Sequence, residues 1–409
     1  MPPSVPTSSS SGADADDAPA VRYLQKILLD AIRLGASDLH LEPFEHGCRL
    51  RFRIDGALRD IAEPPLSLRD KLASRIKVLA RLDIAEKRVP QDGRMKLTLS
   101  KSHAVQFRVS TLPTLFGEKV VMRVLDATQA RLDLSELGYA PAQESLLREA
   151  ITRPHGMVLM TGPTGSGKTV SLYSCLHLLN QPGVNISTIE DPVEIPLPGI
   201  NQVNVNERAG LSFPTALRAF LRQDPDIMMV GEIRDLETAD IAVKAAQTGH
   251  LVLSTLHTND APATLTRLLN MGVPAFNIAS SVIMITAQRL VRRLCSCKQE
   301  HHMTLAARQA AGMTEAIQSS LSELSNSGLI FKPNGCKDCG GSGYRGRTGI
   351  YQVMPISNAI ESLILAHAAT PDIAAQAQRD GVLSLRQSGW KKVAEGMTSV
   401  DEIIACTGI

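Results

Sequence analysis

The chain is poor in aromatic side chains: one Trp, five Tyr and eight Phe make up 3% of its 409 residues. Surfaces that stack nucleic-acid bases need rings, so this scarcity argues against such a surface. An excess of one charge sign is also missing, with 43 Lys and Arg against 41 Asp and Glu. No net basic pull toward DNA or acidic lipid follows, although local patches are still allowed. No apolar run approaches the roughly 18 residues that span a bilayer. The start, MPPSVPTSSSSGADADDAPA, lacks the charged opening and apolar stretch of a secretory signal. Its Ser, Pro and Asp read as a disordered tail over residues 1–20. These absences together predict a cytoplasmic protein without nucleic-acid partners. Seven cysteines do not make an extracellular framework, and four of them sit in two close pairs, which suggests metal.

A chain of this length has room for two or three domains. The segment VRYLQKILLDAIRLGA has apolar residues at helical spacing and then Gly35. Strand-like alternation follows, with Leu50, Phe52 and Ile54 between Arg51, Arg53 and Asp55. SLRDKLASRIKVLARLD reads as a second amphipathic helix, and 93–125 as several short strands. This predicts a small α+β domain over 21–127. A linker is expected over 128–140, and an α/β domain with a mostly parallel sheet over 141–409. Within it, the part from about Ala287 onward reads as mainly helical.

The stretch TGPTGSGKTV is the strongest chemical signal. Gly162-Pro163-Thr164-Gly165-Ser166-Gly167-Lys168-Thr169 fits the phosphate-loop pattern, after an apolar strand and before a helix, and Val170 is expected to join the loop as a nucleotide contact. Backbone N–H groups of such a loop wrap phosphates, Lys168 should bridge the β- and γ-phosphates, and Thr169 should ligate Mg²⁺. Such a loop needs a nearby carboxylate. DIMMVGEIRD offers Glu232, one residue later than the usual position, which Gly231 occupies. STIEDPVEI offers Glu190, Asp191 and Glu194; three carboxylates there are costly unless a cation neutralises them, and Glu194 is the best candidate for the base on the attacking water. His250 and His257 stand at the two ends of one strand. Their odd spacing puts them on opposite faces, with His257 at the polar end, where a γ-phosphate sensor would sit.

In this order TGPTGSGKT, TIEDPVEI, LRQDPDIMMVGEIRDLETADIA and TGHLVLSTLHTNDA resemble the secretion ATPase superfamily, the motors of type II secretion and type IV pili. The resemblance extends upstream through GASDLHLEP, RFRIDG, QDGRM and RVSTLPTLFGEKVVMR, and downstream through AQRLVRRLC and GYRGRTGIYQVMPI. It implies a RecA-like ATP-hydrolysing core, a small PAS-like N-terminal domain, a homo-hexamer and an inner-membrane platform protein as partner. It implies peripheral association with the inner membrane through partners. It makes Glu190 and His250 nucleotide contacts, and Arg94, Arg108 and Arg123 phosphate-reaching arginines of the small domain. GINQVNVNERAGLSF and NMGVPAFNIASSV resemble pilus assembly motors more than type II secretion motors, the nearest alternative; a RecA-like nucleic-acid translocase is a more distant one. Cys295-Ser-Cys297 and Cys336-Lys-Asp-Cys339 supply the four thiolates of a structural zinc site, the first pair one residue tighter than usual in the family, with His301 or His302 as a substitute for one sulfur. Relatives of this type commonly carry a further N-terminal docking domain, where this sequence has about 20 low-complexity residues.

Overall fold

The computed structural model describes residues 18–100, 103–125, 132–313 and 329–408. Contacts divide the chain into two units, Met1–Gln129 and Ala130–Ile409. The tail expected over 1–20 lies outside the described residues up to position 17, and helix α1 already begins at Ala18.

In the first unit, α1 (Ala18–Arg33) and α2 (Arg69–Leu79) cover one face of a six-stranded sheet. Its strands are β1 (Ala36–Pro43), β2 (Cys48–Ile54), β3 (Ala57–Ala62), β4 (Gln91–Thr98), β5 (Ala104–Thr114) and β6 (Gly117–Leu125), in the order β3-β2-β1-β6-β5-β4. All pairings are antiparallel. Leu24, Ile27, Leu28 and Ala31 of α1 recur at helical spacing and are buried against Leu39, Leu41, Leu50, Phe52, Phe107 and Met122. Alternation then sends the charged residues to the uncovered face. There the register aligns one row: Arg94 opposite Arg108, Arg108 opposite Arg123, Arg123 opposite Asp38, and Asp38 opposite Arg53.

The second unit opens with a 3-10 turn, Leu134–Glu136, and α3 (Pro141–Ile151). Its seven-stranded sheet runs β15-β12-β7-β11-β10-β8-β9. The ranges are β7 (Gly156–Thr161), β8 (Ile186–Glu190), β9 (Asn201–Asn204), β10 (Ile227–Val230), β11 (Leu251–Leu256), β12 (Val282–Leu294) and β15 (Tyr344–Pro355). β12 through β9 are parallel, and β15 pairs antiparallel with β12. The central strands are buried along their whole length, as helices on both faces require of continuous apolar runs. These helices are α4 (Lys168–Leu179), α5 (Phe213–Phe220), α6 (Leu236–Gln247), α7 (Ala261–Asn270) and α8 (Ala275–Ser281). A two-stranded ribbon, β13 (Gln299–His302) with β14 (Leu329–Lys332), and α9 (Leu305–Ala310) follow. The C-terminal helices are α10 (Asn358–Leu365), α11 (Thr370–Arg379), α12 (Leu385–Ala394) and α13 (Val400–Thr407).

One expectation is met only in part. Ala287 lies in the middle of β12 and β15 follows, so the helical part of this segment is concentrated after Pro355, in α10 to α13. Ala287, Leu290, Val291 and Leu294 sit at i, i+3, i+4 and i+7, a helical pattern. β12 is nevertheless paired at both edges, to β7 and β15, and its two faces feed different core clusters, Ile285, Ala287 and Val291 on one and Met284 on the other, so the alternation of a half-exposed strand never develops.

Candidate active site

β7 is wholly apolar up to Thr161 and delivers the chain to the C-terminal edge of the sheet, where the loop 162–167 turns into α4. Gly162 has φ 150°, and a Cβ there would lie 2.6 Å from both the Gln288 carbonyl oxygen and Ser166 Oγ. Gly167 caps α4 at φ 90°, with the Gln288 amide nitrogen 3.2 Å from where its Cβ would be. Both glycines therefore answer to close approach by β12, and Gln288 Nε2 donates to the Ser166 carbonyl at 2.7 Å.

Lys168 is buried, and its ammonium donates to the carbonyls of Gly162 at 2.7 Å and Pro163 at 3.2 Å. Burial lowers its pKa to about 8; Glu232 pulls it up and Arg289 pushes it further down. Pro163, Thr164, Gly165 and Thr169 are exposed along the same loop and first turn, while Ser166 is buried and Val170 half-buried. Thr161 Oγ1 accepts the amide of Thr258 at 2.9 Å, and the two hydroxyls are 2.6 Å apart. This ties the turn after β11 to the root of the phosphate loop.

That turn carries His257, whose Nε2 is 3.5 Å from a Glu232 oxygen. Burial lowers the imidazole pKa, Lys168 adds to this and Glu232 opposes it. Glu232 is also held by the Arg234 guanidinium, which stands 4.0 Å from Asp191. Gly231 occupies the usual acid position. A Cβ there would come within 3.3 Å of Glu190 Cα and the Ile189 carbonyl, a tight fit beside β8. Lys168 and Thr169, at the start of α4, and Glu232 and His257, on the turns after β10 and β11, thus lie at one sheet edge, with Glu194 on the loop after β8.

Two expected contacts are placed differently. Glu190 is 4% exposed and accepts hydrogen bonds from Tyr173, from Thr188 at 2.7 Å and from Gln202 at 3.3 Å. Burial raises its pKa and these donors oppose the rise. Within the chain, hydroxyl and amide donors are the partners of this carboxylate. His250 lies at the opposite end of β11, roughly 20 Å of strand away, with Nδ1 3.0 Å from the Ala245 carbonyl. Within one chain it is not brought to the phosphate loop. Arg94, Arg108 and Arg123 lie in the other unit, in the row described above.

Sequence reading passes over Gln288 and expects the arginines of TAQRLVRRL, Arg289 among them, to face solvent or a partner. Arg289 donates to the carbonyls of Asn259 at 2.8 Å and Gln288 at 3.0 Å, and burial lowers its pKa. Their signal, a polar pair inside AQRLVRRL, was hidden by the helical spacing of the surrounding apolar residues. The loop, two basic groups and two acids can hold a polyphosphate with its metal and activate water against it.

The four cysteines gather from both sides of the β13–β14 ribbon. Cys295, Cys297, Cys336 and Cys339 have all sulfurs within 4.8 Å of one another. The closer pairs measure 3.8 Å (Cys295–Cys336), 4.0 Å (Cys297–Cys339) and 3.7 Å (Cys336–Cys339). Tetrahedral zinc with bonds of about 2.3 Å has sulfur–sulfur edges of about 3.8 Å, so the donor set fits that ion. His301 and His302 fall on β13, outside the cluster.

A family model described as "Type II/IV secretion system protein" matches residues 13–405. The type IV pilus assembly ATPase PilB of Acinetobacter baylyi is 58% identical over 391 residues, covering 95% of this chain and 66% of that protein. PilB of Pseudomonas aeruginosa is 54% identical, covering 97% and 69%. The type II secretion system protein E of Aeromonas hydrophila is 47% identical, covering 96% and 76%. The chain therefore spans about two thirds of the length of the pilus proteins it matches. Among solved structures, the pilus retraction motor PilT with bound ADP aligns with a TM-score of 0.63 and 26% identity over 94% of this chain and 96% of that one. The DotB ATPase of Legionella pneumophila aligns at TM-score 0.68 and 20% identity over 94% and 95%, a likeness of fold.

Proposed function

Because the chain belongs to the type II/IV secretion system protein family, we propose that it is an ATP-hydrolysing motor subunit whose client is type IV pilus assembly. The observation that carries the chemistry is the buried Lys168 ammonium, held on loop carbonyls beside Glu232 and His257. A phosphate group would draw that ammonium off the carbonyls. The loop amides and Lys168 would hold the phosphates, and Thr169 would hold Mg²⁺, which would shield their charge. Glu194 takes the proton of the attacking water, Glu232 orients it, and His257 senses the departing phosphate.

Pilus assembly is preferred to type II secretion because identity to PilB proteins runs from 58% to 50%, against 47% for the A. hydrophila secretion protein. We read the active form as a homo-hexamer in which Arg94, Arg108 and Arg123 reach the phosphates and couple hydrolysis to domain movement. Its partner is an inner-membrane platform protein, and the subunit sits at the cytoplasmic face. The strand order of the first unit, with its first and last strands paired at the centre, supports a PAS-like scaffold. Zinc on the four cysteines would have a structural role, since four protein ligands would leave no open position.

The test is ATPase rate per subunit against protein concentration, with native mass measured on the same samples. A rate that rises together with a hexamer supports sites completed between subunits. A constant rate at monomeric mass rejects that arrangement. Restoration of piliation, but not of secretion, in strains lacking either motor would decide the client.

A further inference from the structure

The loop between β8 and β9 carries Glu194, and side chains take up its main-chain polar groups. The Val193 amide donates to Asn204 at 2.8 Å and the Leu197 amide to Gln202 at 2.6 Å, while the Ile195 carbonyl accepts from Gln202 at 3.1 Å. The amide of Glu194 itself donates to the Tyr173 hydroxyl at 3.2 Å. Tyr173 is completely buried on α4, one residue past the first turn after Lys168 and Thr169.

The Tyr173 hydroxyl has one proton and gives it to Glu190 Oε2, which leaves its lone pairs for the Glu194 amide. The other Glu190 oxygen is occupied by Thr188 and Gln202. A hydroxyl that donates to a carboxylate is polarised and accepts more strongly, so the two bonds reinforce each other. Space filling does not require this arrangement. A Phe would fill the same volume without a buried polar atom, and an apolar residue at 190 would avoid burying a carboxylate.

We propose that Tyr173 is a positioning residue whose hydroxyl, anchored on Glu190, sets the place of Glu194 relative to the phosphate loop. The helix that presents Lys168 and Thr169 and the loop that presents Glu194 are joined through this oxygen atom. The proposal rests on the reading of Glu194 as the base, and the experiment keeps the two separable.

Four forms of the full chain are compared: wild type, Tyr173→Phe, the double variant Tyr173→Phe/Glu190→Gln, and Glu194→Gln. Each is measured for kcat, ADP affinity and melting temperature. Tyr173→Phe leaves Glu190 Oε2 without its donor; the double variant replaces the carboxylate with a neutral amide, which lowers the cost of that loss. The expected result is a kcat lower by about 10- to 100-fold in both Tyr173 variants, the scale of a misplacement of about 1 Å. ADP affinity should stay within about twofold, because the phosphate loop is untouched. A folded double variant with wild-type kcat overturns the proposal. So does ADP binding that weakens as much as turnover, since Tyr173 would then only support α4. If Glu194→Gln hydrolyses ATP normally, the base assignment fails and the positioning role falls with it. If Glu194→Gln is inactive while the double variant is normal, the positioning role alone fails.

Discussion

Lys168 donates its ammonium proton to the carbonyl of Gly162, 2.7 Å away, so the cation and the first glycine of the phosphate loop close that loop on itself. Two consequences follow from this contact. The loop is preformed, and its charge is stored on weak neutral acceptors from which an anion can take it.

The first prediction concerns pH. Burial brings the Lys168 pKa down to about 8, far below that of an exposed lysine. A bound phosphate requires the protonated form. ADP affinity should therefore be flat below about pH 8 and fall by up to about tenfold per pH unit above it. Titration calorimetry between pH 6.5 and 9.5 checks this; an unchanged affinity at pH 9.5 removes Lys168 as the counter-charge.

Glu232→Gln keeps the shape of the side chain and removes its charge. Arg234 and His257 lose an anionic partner, while the phosphate loop keeps its geometry. Turnover should fall at least about 100-fold with ADP binding retained, the signature of a group used in the chemical step. Single-turnover hydrolysis measured beside equilibrium binding decides it.

In the row of the first unit, Arg108 stands between Arg94 and Arg123, and Arg123 is paired to Asp38 at 3.1 Å. With a like charge on the Arg94 side and a neutralised one on the other, Arg108→Ala should leave the melting temperature close to unchanged. ATPase activity of the assembled protein should fall by about 10³-fold if the arginine serves the phosphates. A variant that melts normally and hydrolyses normally refutes that role.

Purified chain should carry one zinc, read by atomic emission. Cys339→Ser should lose it and lower the melting temperature, because Cys339 also accepts the amides of Cys336 and Gly343. Chelation should reproduce the loss. Unchanged stability in the metal-free protein would show that the cysteines need no ion.

Some of this site could be read directly along the chain. The phosphate loop, Glu232 and the cysteine pairs are local patterns whose chemistry depends on residue type and short spacing. The alternation that sent Arg51 and Arg53 away from the core was equally visible. The central strands of the second unit stood out because a strand buried on both faces is a continuous apolar run.

β12 was different, because its apolar spacing fits a helix, and pairing with β7 and β15 made it a strand. That pairing is what brings Gln288 and Arg289 to the loop. The fate of the carboxylates was likewise invisible. Three acids in five residues look alike in sequence, yet Glu190 was buried among Tyr173, Thr188 and Gln202 while Asp191 is exposed. His250 and His257 flank one strand and part company because its two ends lie at opposite edges of the sheet. Sequence alone determined the donors, acceptors and charges available, since these are properties of single side chains. Tertiary structure alone decided which of them meet, since partners such as Gln288 and Ser166, 122 residues apart, come together only when the sheet packs.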